Sequence, residues 1–365
     1  MKEMLATLLT ITAEEVLKSR HGNVKIKFIV LSPFPGQLMK VCIYGAGAIG
    51  GWIGSALARA ECDVSVVARG ATLAALQQHG LRVLEGGQLS THFVACSADP
   101  ATLGVQDLVV ISVKAPSLPD VVRHIAPLIG PDTLVMTAMN GVPWWFLQGF
   151  GGTLAGRQLT ATDPDGALAR AIGAHHIVGC VVHASCALEE PGLVRHHFGN
   201  KLIIGEPCGG VSARVERLSE LLVKAGFEAP VSPQIQADIW FKLWGNMTVN
   251  PVSAFTGATT DLILQDDLVR SFISSVMLEA KEIGARIGIS IDQQPSDRHA
   301  VTLKLGAFKT SMLQDVDSGR AVELDALVSA VRELGSLTGV ETPFTDALLG
   351  LARLHARVHG LYPTA

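Results

Sequence analysis

Charge is scarce in this 365-residue chain: Asp, Glu, Lys and Arg make up 17% of it, and the formal net charge is −4. A nucleic-acid partner needs a basic face, and this balance supplies none. Long apolar runs are missing as well. None approaches the ~18 residues of a membrane-spanning helix, so no membrane partner is expected. The 48% apolar share therefore belongs to a buried core. The six cysteines contain no C-x-x-C pair, which points to free thiols in a reducing cytoplasm. There is no internal repeat and no low-complexity segment. The opening "MKEMLATLLTITAEE" is a poor secretion signal. Its apolar run is short, Glu14 and Glu15 follow at once, and no small-residue cleavage site is evident. What remains is a globular chain long enough for two domains.

Residues 1–38 sit apart from the rest. They end in the breaker-rich "SPFPGQLMK" and read as an appendage with weak local structure, an extra strand at "VKIKFIVL" being the alternative. From Met39 the periods alternate. Strand-like "KVCIYG", "DVSVVAR", "DLVVISV" and "TLVMTAMN" enclose helical patterns at 50–60, 71–79 and 117–129. That order predicts a parallel sheet covered by helices on both faces. A β-rich stretch from His176 to Pro207 carries a hairpin turn at Glu189-Glu190-Pro191-Gly192. After Pro233 the period is helical. The expectation is an α/β protein, with a Rossmann-type doubly wound sheet over 39–232 and an all-helical domain over 233–365.

"VCIYGAGAIGGWIG" places Gly45-Ala46-Gly47-Ala48-Ile49-Gly50 between a buried strand and a helix. Gly45 permits the tight turn, Gly47 lets backbone approach a pyrophosphate, and Gly50 lets helix pack on strand. The second strand ends in Arg69, where an NAD site would want an acid for the ribose hydroxyl. A guanidinium there suits a 2′-phosphate, so the expected cofactor is NADP(H). Asp63 starts that strand and is poorly placed for NAD. Lys114 and Asn140 follow the next two strands, at the edge where open α/β sheets bind ligands.

"WFKLWGNMTVNP" spaces Lys242, Asn246 and Asn250 by four, which aligns them on one helical face with a drift of only ~40° per step. Large apolar side chains surround that polar stripe. A second block, "KTSMLQDVDSGRAVELDAL", brings Ser311, Gln314 and Asp315 within one helical turn and Glu323 at the start of the next periodic segment. Together with the glycine loop, these motifs resemble the ketopantoate reductase (2-dehydropantoate 2-reductase) family, from Met39 to about Tyr362.

The resemblance implies NADPH-dependent reduction of a 2-oxo acid, in the family 2-dehydropantoate to (R)-pantoate, as in pantothenate biosynthesis. It matches Lys242 to the catalytic lysine and Glu323 to the acid that holds the substrate hydroxyl. Ser311 matches the hydroxyl that binds the carboxylate, and Asn246 and Asn250 the polar stripe that orients lysine and substrate. Asn140 matches the amide near the nicotinamide; Arg69 and Lys114 match cofactor contacts. A positioned ammonium suits such chemistry, because charge develops on the substrate oxygen as the carbon is reduced. One departure stands out: Phe308 occupies a position where the family commonly has asparagine, so a different, apolar or aromatic 2-oxo acid is the alternative substrate. A β-hydroxyacid dehydrogenase is disfavoured by the "SMLQD…E" block, and a non-catalytic NADP-binding sensor by Lys242 and Glu323 together. His176, Cys180, His183, Cys186, His196 and His197 crowd one β-rich stretch, but their spacing fits no standard zinc motif, and no metal is expected. Oligomeric state is left open, a homodimer included.

Overall fold

A computed structural model describes Thr12–Ser19, Gly22–Ile29 and residues 38–364. Residues up to Met39 form one unit and Lys40 onward another. In the first, β1 (Thr12–Ser19) and β2 (Gly22–Ile29) pair antiparallel, from Thr12 opposite Ile29 to Ser19 opposite Gly22. β2 overlaps "VKIKFIVL", where the sequence offered a strand as the alternative. "GNVKIKFI" alternates apolar and polar residues with the period of a strand, and the partner strand ends two residues before it begins. The last two residues of "VKIKFIVL" and the linker up to Gln37 lie outside the described residues.

The second unit is built on a nine-stranded mixed sheet. Its parallel core comprises β3 (Lys40–Tyr44), β4 (Asp63–Val67), β7 (Ala95–Ser97), β8 (Gln106–Ile111) and β9 (Ile129–Thr137), in the order β7-β4-β3-β8-β9. Near-continuous apolar runs such as "VCIY" and "LVVI" are fully buried, as strands covered on both faces require. The helices α1 (Ala48–Arg59), α2 (Gly70–His79) and α3 (Leu118–His124) connect them. Successive strands are added outward from β3 to β4 and β7, and then on the other side to β8. The order therefore reverses between β3 and β8, and a ligand crevice opens at the carboxyl ends of those two strands.

Four elements differ from expectation. Helix α3 stops at His124, five residues before the expected end, because Pro127 has no N–H to donate to the Arg123 carbonyl, and the chain goes on in a tighter 3-10 turn over Ala126–Leu128. The short strands β5 (Leu81–Glu85), β6 (Gln88–His92) and β7 carry too few apolar residues to register as periods. Beyond β9, a long hairpin of β10 (Ile177–Glu190) and β11 (Leu193–Gly205) extends the sheet and links it to β5 and β6, turning at Pro191-Gly192. Between β9 and that hairpin lies α4 (Ala167–Ala171), and α5 (Ala213–Lys224) follows it.

From Ile235 the chain is helical: α6 (Ile235–Thr256), α7 (Thr260–Gln265), α8 (Asp267–Arg286), α9 (Pro295–Leu303), α10 (Ser311–Asp317), α11 (Ala330–Thr338) and α12 (Pro343–Val358). Helix α6 is the centre of this half, apolar nearly all round and therefore enclosed. Its Trp240 and Trp244 are buried, and their indole N–H groups donate to the Ala280 and Met277 carbonyls of α8 at 3.2 and 2.7 Å. Pro251 lacks an N–H, so the Met247 carbonyl one turn earlier loses its helical donor. Among the described residues no helix is long and apolar enough to cross a membrane.

Candidate active site

The carboxyl edge of β3, β4, β8 and β9 faces α6, α9 and α10 across one cleft of about 740 Å³. Gly45 has φ 99° and turns the chain away from β3, while its N–H still donates to the Val67 carbonyl at the end of the neighbouring β4 at 3.0 Å. A Cβ on Gly50 would fall 2.1 Å from the Gly45 carbonyl oxygen and 2.2 Å from Ser112 Oγ, so only glycine lets α1 approach the strand this closely. A Cβ on Gly47 would meet nothing within 4 Å. That open space beside the uncapped start of α1 leaves its first N–H groups free for a diphosphate. Three glycines thus serve three separate ends.

Arg69 follows β4, caps α2 and pairs with Asp120 on α3. Asp120 is also held by Arg123 at 3.2 Å and lies 3.5 Å from His124. Lys114, after β8, pairs with the buried Asp315 of α10, which also accepts from Arg320 Nε at 3.0 Å. Its ammonium therefore bridges the two halves. Asn140 lies in the loop after β9, and the next residue, Gly141, abuts Ala326 of the helical half so closely that a Cβ there would sit 2.6 Å from its carbonyl oxygen.

Lys242 Nζ donates to Asn140 Oδ1 at 2.8 Å and to the Val182 carbonyl of β10 at 2.7 Å. Desolvation lowers its pKa to about 8, the nearby Arg298 guanidinium adds to the lowering, and Glu323 works against it. Asn246 and Asn250 line the same cleft, but the lysine's anchors come from the sheet half. Glu323 is buried, and its Oε1 accepts from the Ala115 N–H at 3.0 Å. Burial raises its carboxyl pKa, while Lys114 and that N–H work against the rise. The alternative partner, Arg320, is taken by Asp315. Ser311 opens α10 and reaches the cleft; Thr310 beside it caps the helix, accepting from the Leu313 N–H at 3.2 Å.

Two cleft residues, Arg298 and Phe198, escaped the sequence, and His183, weighed there only as a metal ligand, lines the cleft as well. His183 is held near a pKa of about 4, first by burial and then by Lys242 and Arg298. Phe198 meets Phe308 edge-on, with ring centroids 6.4 Å apart. Two of the other crowded histidines have local partners. His176 Nδ1 lies 2.8 Å from the Thr133 carbonyl, and His196 stacks on Trp52 and pairs with Glu85.

A dinucleotide-binding sheet facing a buried lysine, an acid and amides on a helical half defines a two-part nicotinamide-type oxidoreductase architecture. Residues 41–144 match the family described as ketopantoate reductase PanE/ApbA, and residues 234–356 match its C-terminal part. A 2-dehydropantoate 2-reductase of Mesorhizobium japonicum is 46% identical over 325 residues, covering 89% of this chain and all of the relative. A ketopantoate-reductase-like structure from Ralstonia solanacearum MolK2 superposes with a TM-score of 0.86 at 55% identity, covering 89% of this chain and 100% of its own. The fold is also that of a D-mandelate dehydrogenase solved with NADH and anilino(oxo)acetate, with a TM-score of 0.76, 20% identity, and coverage of 88% and 100%. The chain belongs to the ketopantoate reductase family.

The Lys242 environment makes a titration prediction. Its ammonium should lose its proton near pH 8, well below a free lysine, and Glu323→Gln should lower that value further by removing the opposing charge. Following the isotopically labelled, reductively methylated Lys242 by NMR checks both; a midpoint near 10.5 would show a solvated lysine.

Proposed function

We propose that this chain catalyses NADPH-dependent reduction of a 2-oxo acid, 2-dehydropantoate, to the 2-hydroxy acid pantoate. The observation that carries this reading is the Lys242 ammonium, fixed by Asn140 and the Val182 carbonyl in the same cleft as the Gly45–Gly50 loop and Glu323. When bound, a nicotinamide would supply the hydride. Lys242 polarises the substrate carbonyl and delivers a proton to its oxygen, a task suited to an acid whose pKa lies near the working pH. Glu323 holds the resulting hydroxyl. Asn140 keeps the lysine aimed, and Asn246, Asn250 and Ser311 offer neutral polar contacts to the rest of the acid. The six thiols, all free, fit work in a reducing cytoplasm.

NADP(H) is the cofactor supported by Arg69, which lines the cleft at the end of β4 with no acid on that strand's tip. Its present partner Asp120 keeps a second cation in Arg123, so Arg69 can turn to a 2′-phosphate without leaving that carboxylate alone. A different, more apolar 2-oxo acid is the second reading, favoured by Phe308, which lines the cleft with Phe198, Leu188 and Leu305.

Lys242→Ala should cut turnover of 2-dehydropantoate by ~10²–10⁴-fold with NADPH binding intact. In the wild type, reduction should fall as pH rises through about 8, where the ammonium loses its proton, and oxidation of the hydroxy acid should rise through the same range. A Lys242→Ala enzyme with wild-type kcat refutes the assignment.

NADPH should bind more tightly than NADH, and Arg69→Ala should lose about 1.5–3 kcal/mol of that preference, the worth of a charge-assisted hydrogen bond. Dissociation constants for both cofactors, in wild type and variant, decide it; equal wild-type affinities refute it.

Phe308→Asn should shift kcat/KM toward 2-dehydropantoate and away from 2-oxoisovalerate and benzoylformate, by about 10-fold or more. An unchanged ranking would make Phe308 a packing residue only.

A further inference from the structure

We propose that Arg298 is the residue that binds the substrate's carboxylate. Five cationic side chains line the cleft: Arg69, Lys114, Lys242, Arg298 and Arg320. Three already have carboxylates: Arg69 has Asp120, and Lys114 and Arg320 share Asp315. Lys242 has two neutral oxygens. Arg298 alone of the five has no side-chain hydrogen-bond or ion-pair acceptor among the described residues, and its Nε is enclosed without a partner. A half-buried guanidinium in that state is costly unless an anion completes it.

The surroundings hold this side chain in place without neutralising it. Its helix α9 is pinned by His299, whose Nε2 lies 2.9 Å from Ser274 Oγ of α8. The adjacent carboxylate, Asp297, accepts from the Gln294 N–H at 2.8 Å and so closes the start of α9 instead of pairing with Arg298. The guanidinium carbon lies 5.4 Å from the centre of the Phe241 ring on α6, within cation–π range. Gly245, also on α6, makes room for it: a Cβ there would sit 2.7 Å from Arg298 Nε and 3.2 Å from Nη2. Gly245 lies between Lys242 and Asn246 on the same helix, so the guanidinium rests beside the polar stripe. A planar fork with free donors matches a carboxylate in two-point geometry, which Ser311 and the amides cannot offer alone.

Seating the carboxylate there has a second effect. Arg298 lies close enough to Lys242 to depress its proton affinity. Neutralising the guanidinium removes that repulsion, so the incoming acid raises the fraction of Lys242 that carries the proton it must give.

The inference rests on the 2-oxo-acid reading of the cleft, and the test separates the two. The first measurement is the ratio of kcat/KM for a 2-oxo acid to that for its neutral methyl ester, in wild type, Arg298→Lys and Arg298→Met. Wild type should favour the acid strongly. Arg298→Met should lose about 10–100-fold of that ratio through KM, Arg298→Lys should regain part of it, and the NADPH dissociation constant should stay within about twofold. Gly245→Ala should move the ratio in the same direction by displacing the guanidinium. The second measurement needs no turnover: calorimetric binding of oxamate, a non-reducible 2-oxo acid mimic, to the NADPH complex should weaken by the same factor in Arg298→Met. An acid-to-ester ratio or oxamate affinity unchanged in a folded Arg298→Met protein overturns the proposal, as does an equal loss for acid and ester. Wild type that binds oxamate through Arg298 but reduces no 2-oxo acid would refute the function and leave this assignment standing.

Discussion

Everything in the cleft depends on keeping one desolvated ammonium supplied with acceptors. Lys242 sits on a helix enclosed by apolar neighbours, where an unpaired charge is expensive. Its two oxygens come from Asn140 and Val182, both on the sheet half of the molecule. The lysine therefore has its full set of partners only when the sheet edge and α6 are in register. The same contacts that reduce the cost of burial also fix the direction in which the proton leaves. A lysine on a surface helix would be easier to bury and useless for this purpose, because its pKa would stay high and its direction undefined.

Two further contacts carry the same logic across the cleft. Lys114 pairs with Asp315, and the Ala115 N–H reaches Glu323, so consecutive residues after β8 clasp α10 and the segment that follows it. Gly141 abuts Ala326, and the Val142 N–H donates to the Ala326 carbonyl at 2.8 Å. Positioning of Glu323 is thus set by backbone of the sheet half, and the acid's burial is offset by an N–H and a nearby cation instead of by solvent. Lys114 was expected to touch the cofactor. Its ion pair with Asp315 makes it at least as much a tie between halves, and a cofactor phosphate would have to compete with a buried carboxylate for it.

The α/β order and the glycine loop were legible because they rest on local periods: apolar runs, a turn glycine and a helix start. The stripe of Lys242, Asn246 and Asn250 was legible for the same reason, since one helix aligns it. What escaped was non-local. Nothing near Lys242 in sequence says that Asn140, 102 residues earlier, accepts its proton side, and Arg298 looks like any polar residue on an exposed helix. The partner of Glu323 is a backbone N–H, which no residue type announces. Short strands such as β7 failed to register because three residues cannot display a period.

Gly245 is the one local clue that was present and went unread. A glycine inside a long helix costs roughly 0.5–1 kcal/mol relative to alanine, and α6 has every other reason to be stable. The lost helix propensity has a counterpart in the cleft, where the missing Cβ is the space that Arg298 fills. Two cations, one on α6 and one lying across it, then share a cleft whose buried acids are already committed to Lys114, Arg320 and a backbone N–H. Desolvation chiefly, and their mutual repulsion to a smaller degree, push the lysine toward neutrality, and Glu323 offsets this only in part. Such a cleft is short of one negative charge. An anionic substrate therefore does more than fit it: its charge offsets the repulsion from Arg298 and so favours the protonated lysine that must supply the proton.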